Sequence, residues 1–113
     1  MKEDLVYVSH ILTAIADIKE FTEGMTKKDF FESKIAEHAV VRNIEVIGEA
    51  SKHLSATFKE KRKDIPWKDI IKMRNKVTHF YFGINYEIVW KVVKRDIPLI
   101  NKKLEAIIKA RKK

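Results

Sequence analysis

The chain has 113 residues, with 24 Lys and Arg against 16 Asp and Glu and a formal net charge of +8. That length suits a single domain over residues 1–113, and only 3 Gly and 2 Pro argue against a turn-rich all-β fold. Zero cysteines exclude a disulfide scaffold, an iron–sulfur cluster and a Cys-ligated zinc site, and fit a reducing, cytoplasmic setting.

The start, Met1-Lys2-Glu3-Asp4, opens no long apolar run, so neither a signal peptide nor a membrane span is expected. Leu5, Val8, Leu12 and Ile15 recur at steps of three and four, widened by Ile11 and Ile18, which predicts a first helix with one apolar face. Gly24 is placed to end it, because glycine accepts a left-handed turn. Thr26 and Asp29 read as a capping pair at the next start. The stretch from Phe30 to Phe58 reads as one long helix that bends near Ser33, with Val40, Ile44, Ile47, Ser51, Leu54 and Phe58 as a bundle seam. Gly48, Ala50 and Ser51 are small enough to let a neighbouring helix approach closely. A charged loop, Lys59 to Lys63, follows.

Pro66 and Trp67 begin a third helix, with Trp67, Ile70, Ile71 and Val77 as its buried residues. The turn Phe82-Gly83-Ile84-Asn85 stops it, and Asn85 caps a fourth helix. That helix has the strongest pattern: Tyr86, Val89, Trp90, Val93, Ile97, Ile100, Leu104 and Ile107. Pro98 lies inside it and predicts a kink or break near Arg95. The basic tail, Lys109 to Lys113, is expected to fray. Four main helices with short connections predict an all-α, antiparallel four-helix bundle.

The residues that break this periodicity cluster at Arg74-Asn75-Lys76-Val77-Thr78-His79-Phe80-Tyr81. At 100° per residue, Thr78 and Tyr81 each lie within about 40° of Arg74 on the helix surface. Asn75 and His79 stack four apart on an adjacent strip. Such a group suits cleavage of an RNA backbone. His79 can move protons near neutrality, and the Arg74 fork can hold charge developing on phosphate. Asn75 can orient the imidazole or donate to the phosphate. Nothing here requires a metal or other cofactor, and no metal-spaced carboxylate or His pair stands beside the cluster. A plain reading also fits the spacing: Arg74 as a solvated or capping side chain, and His79 as a cation at a helix C-terminus. His10, His38 and His53 have no comparable sequence neighbours.

From Arg74 to Tyr81 the chain resembles the Arg-x4-His-x-Tyr motif of the HEPN superfamily, in the HepT-like branch of small bacterial and archaeal toxins. Arg42-Asn43-Ile44-Glu45-Val46-Ile47-Gly48-Glu49-Ala50 resembles that branch's second-helix signature. His79 to Asn85, Val89-Trp90 and Asp96-Ile97-Pro98-Leu99 resemble its turn and last helix, so the likeness spans essentially the whole chain. The resemblance implies a metal-independent endoribonuclease toxin acting as a homodimer, its two motifs facing one another across a cleft. Arg74 and His79 would be catalytic, and Asn75 would fill the polar position after the arginine. The implied partner is a nucleotidyltransferase antitoxin that transfers AMP from ATP onto Tyr81. A phosphate on Tyr81 would compete for the Arg74 guanidinium and repel RNA; otherwise Tyr81 is an amphipathic rim residue.

Arg42 either lines the same cleft or forms an ordinary helical pair with Glu45. Lys72 and Lys76, with Lys61, Arg62, Lys63, Lys94 and Arg95, could form a phosphate-tracking surface or a solvated face. Trp67 and Trp90 sit on core stripes and read as packing residues. The alternative function is a non-catalytic accessory or substrate-binding subunit of a nucleotidyltransferase, and a weaker third is a basic nucleic-acid-binding bundle with no chemistry.

Overall fold

The structure, a computed structural model, describes residues 2–78 and 83–112. All regular structure among them is helical: α1 (Lys2–Thr22), α2 (Lys27–Glu32), α3 (Lys34–His53), α4 (Ala56–Lys61), α5 (Trp67–Thr78), α6 (Tyr86–Lys91) and α7 (Ile97–Lys112). A π-helical turn, Val92–Asp96, joins α6 to α7 without interruption. The bundle therefore has four rods, namely α1, α3, α5 and the continuous α6–α7. The helices α2 and α4 are short connectors. No helix is long and apolar enough to cross a membrane.

The ends fall where local chemistry puts them. Gly24 follows α1 at φ +73°, with the Met25 N–H donating to the Thr22 carbonyl at 3.0 Å. Thr26 and Asp29 cap each other reciprocally at 3.0 and 3.1 Å. Asn85 starts α6 by accepting from the N–H groups of Glu87 and Ile88.

The stretch from Phe30 to Phe58 is not one bent helix but three. Ser33 takes an extended conformation, ends α2 by donating its N–H to the Phe30 carbonyl, and starts α3 by accepting the Ala36 N–H at 3.1 Å. Leu54 breaks the chain again at φ −67°, ψ 141°, and Ser55 caps α4 through the Phe58 N–H. The charged segment is thus partly helical, since α4 runs to Lys61. All six seam residues are nonetheless buried, because each break falls where the apolar register can resume.

Pro98 distorts the last helix around Arg95, as expected, through the π-helical turn rather than a break. Lacking an N–H and crowding the carbonyl four residues back, it is accommodated by the wider turn, in which the Ile97 N–H donates to the Val92 carbonyl. Val92 and Val93 can then both be buried, and Val89, Ile97, Ile100, Leu104 and Ile107 remain on the core side. The basic tail stays helical through Lys112, and Ile71 is only half-buried.

The core is largely aliphatic, built on Val8, Ile11, Ile15, Ile18, Val40, Ile44, Ile47 and Leu104, with Phe30 its largest fully buried side chain. At ~1.5–3 kcal/mol for each such side chain, this packing outweighs the polar ties between rods. Trp67 is buried against Phe58 and donates its indole N–H to the Arg62 carbonyl at 3.0 Å. Trp90 is half-buried beside Phe30. Both tryptophans are packing residues. The Tyr86 phenol, at the same end as Trp90, is raised above its ordinary pKa by burial and secondarily by the Glu37 carboxylate.

Candidate functional site

Arg74 lies on α5, where that helix crosses α3, and Gly48 makes the crossing close. A Cβ built on Gly48 would fall 2.3 Å from Cβ of Arg74 and 2.4 Å from its Cγ. The small face of α3 therefore seats one particular side chain. With its stem pressed there, the guanidinium is steered outward and held at two places. Nη1 donates to Oδ1 of Asn75 at 3.0 Å, and Nη2 lies 3.5 Å from a carboxylate oxygen of Glu49. The side chain is only 20% exposed, so it is not the solvated or capping arginine that spacing alone allowed.

The guanidinium borders a groove of about 340 Å³ over the outer face of α3. Along α3, Arg42, Glu45, Glu49 and His53 follow one another at steps of three and four and form its length. Tyr7 and His10 of α1 form the facing wall. Arg42 lines this groove and pairs with Glu45 at 3.7 Å. Lys72 and Lys76 do not join it. Together with Asn75 they line a second groove, of about 660 Å³, bordered on its other side by Ile88, Val92 and Asp96. Asn75 thus touches Arg74 while lining a different groove. His79 and Tyr81 lie outside the described residues, immediately beyond the end of α5.

Three groove residues escape the sequence reading. Tyr7 stacks on His53, centroids 5.1 Å apart and planes 15° from parallel, and His10 meets Tyr7 edge-on at 5.9 Å. His10 and His53, which have no neighbours of note in sequence, flank one phenol ring in space. Steps of three on α1 pair Tyr7 with His10, but nothing local could have supplied His53 from another helix. Of the other cations considered for a basic surface, Arg62 lies over the Phe58 ring at 5.6 Å and Lys94 over Trp90 at 4.8 Å.

Comparison with known proteins places this geometry in a family. The family model described as "Ribonuclease HepT-like" matches residues 11–107. The chain belongs to the HepT-like ribonuclease family. Arg42, Gly48, Glu49, His53, Arg74 and Asn75 fall inside the matched stretch, whereas Tyr7 and His10 precede it. Among HepT-like relatives, a Methanocaldococcus jannaschii protein named "Gamma-glutamylcyclotransferase and putative RNase" is 43% identical over 109 residues, 96% of this chain but 49% of its own length. A Caldanaerobacter subterraneus subsp. tengcongensis protein named "Putative RNase" is 38% identical over 112 residues, 99% of this chain and 100% of its own. The "Probable ribonuclease HepT" of Thermococcus cleftensis is 42% identical over 103 residues, 91% of this chain and 94% of its own. No solved structure matches significantly.

Proposed function

We propose that the chain is a metal-independent endoribonuclease toxin of a toxin–antitoxin pair, with Arg74 and His79 as its catalytic residues. The observation that carries this reading is the preset Arg74 guanidinium, fastened by Asn75 and Glu49 at the edge of a groove in a HepT-like fold. In the reaction, the 2′-OH of RNA loses its proton and its oxygen attacks the adjacent phosphorus. The bond from phosphorus to the 5′-oxygen breaks, and that oxygen leaves protonated. The products are a 2′,3′-cyclic phosphate and a 5′-hydroxyl. His79 moves a proton in this sequence, and Arg74 holds the charge that grows on the non-bridging oxygens. Asn75 keeps the guanidinium oriented. A homodimer, with one motif from each protomer at a shared cleft, completes the site.

Control by a nucleotidyltransferase antitoxin fits the same chemistry. Transfer of AMP from ATP to the Tyr81 phenol, with release of pyrophosphate, puts a phosphodiester seven residues after Arg74 in the sequence and offers Arg74 a competing anion. The bifunctional and putative RNase names of the relatives support the ribonuclease part of the reading.

Incubation of the purified protein with RNA in EDTA is expected to give fragments with cyclic phosphate ends. Arg74→Ala and His79→Ala should each lower the rate by ~10²–10⁴-fold. Cleavage abolished by EDTA, or retained in both variants, rules this function out.

A further inference from the structure

Where RNA sits relative to Arg74 is the next question, and the α1–α3 groove offers an answer. We propose that Tyr7, His10 and His53 form a nucleotide subsite that stacks one base of single-stranded RNA, with Arg42 taking the phosphate beside it. The choice of ligand rests on the ribonuclease reading; the site itself rests on the following geometry.

The three rings come from two helices; only Tyr7 packs partly against the core, and the two imidazoles lie at the surface. The buried face of α1 is made by Val8, Ile11, Ile15 and Ile18, while Tyr7 is half-buried and His10 and His53 are exposed. Polar rings assembled at a surface, one stacked pair and one edge-on, present faces and N–H groups to a ligand. Any base has a π-face to lay on them, which gives affinity with little sequence preference. The half-exposed Val46 and the buried Ala50 supply an apolar floor. At about 340 Å³ the groove matches the lower range of small-ligand sites, enough for one nucleotide at a time.

Charge around the groove suits an anionic strand that arrives by exchange. Arg42 and Arg74 each face a carboxylate, at 3.7 and 3.5 Å, longer than a well-formed charged hydrogen bond. A phosphate can replace either carboxylate at shorter range and bidentately. The strand would then run from the ring cluster toward Arg74, where the chemistry is placed.

The test uses the full chain and a fluorescein-labelled, 2′-O-methylated oligoribonucleotide, which lacks the attacking hydroxyl and so reports binding apart from cleavage. By fluorescence anisotropy, Tyr7→Ala and His53→Ala are each expected to weaken binding on the order of tenfold, and Tyr7→Phe to stay within about twofold of the native protein. On cleavable RNA, His53→Ala should raise KM by a similar factor with kcat little changed, unlike Arg74→Ala. His53 is exposed, so a His10→Ala/His53→Ala double variant is expected to fold, as circular dichroism would verify. Native-like affinity in that folded double variant overturns the subsite. If the native protein binds the strand through Tyr7 and His53 yet never cleaves RNA, the ribonuclease reading fails and the subsite stands. If it cleaves while all ring variants bind normally, the reverse holds.

Discussion

Gly48 and Arg74 show how one hydrogen atom can set the position of a functional group. An alanine there would place its methyl carbon 2.3–2.4 Å from Arg74 Cβ and Cγ, atoms too near the main chain to swing aside, so α5 itself must move. Alanine gains about 1 kcal/mol of helix propensity over glycine, but overpacking a close crossing costs ~1–3 kcal/mol. Gly48→Ala is therefore expected to lower Tm by about 5 °C and to cut RNA cleavage ~10²-fold through misplacement of the guanidinium. Thermal melting and initial rates check the two effects, and an unchanged Tm contradicts the packing argument. The small residues of α3 were legible as a close-approach face in the sequence. Which side chain fills that face was not, because 26 positions separate the two and no periodicity links them.

Among the helices, Asp4 ties the start of α1 to the junction of α3 and α4. Its carboxylate is buried, and accepts the Ser55 N–H at 2.8 Å and the Ser55 hydroxyl at 2.9 Å. Burial pushes this carboxyl up, the hydrogen bonds from Ser55 pull it down, and its pKa lies below the ordinary value of 3.8. A carboxyl whose folded pKa is depressed stabilises the fold above its unfolded value, and that contribution is lost as pH falls through the folded one. Asp4→Asn is expected to cost about 2 kcal/mol near pH 7, and the gap from native should close as pH drops below 3.8. Urea melts of both proteins at neutral and acid pH measure it; a gap independent of pH counts against the assignment. Capping chemistry made most helix starts readable, as at Thr26 and Asn85. A bend near Ser33 was legible, but the break at Leu54 was obscured because the apolar seam continues across it, and the Pro98 distortion was anticipated without its π-helical form. Contacts such as Asp4 with Ser55, or Tyr7 with His53, join separate helices and leave no trace in local spacing.

For the molecule as a whole, the charge of +8 overstates what the first groove presents, since Arg42 and Arg74 each face a carboxylate there. Two phosphate contacts give an expected slope of about −1.4 for log affinity against log salt with a single strand. Replacing both Lys72 and Lys76 with glutamine should leave that slope unchanged, because they line the other groove. Anisotropy across a salt series tests this, and a slope of about −4 would mean that the strand follows the wider basic surface. The family motif made Arg74 and Asn75 readable as a pair, but not that they line two different grooves.

That link between two grooves has a practical corollary. The guanidinium in one groove is braced by a carboxamide that lines another, through a single bond of 3.0 Å. A drug-like compound lodged beside Lys72 and Lys76 that captured the Asn75 amide would slacken the arginine from behind. Inhibition of that kind would not be relieved by adding more substrate.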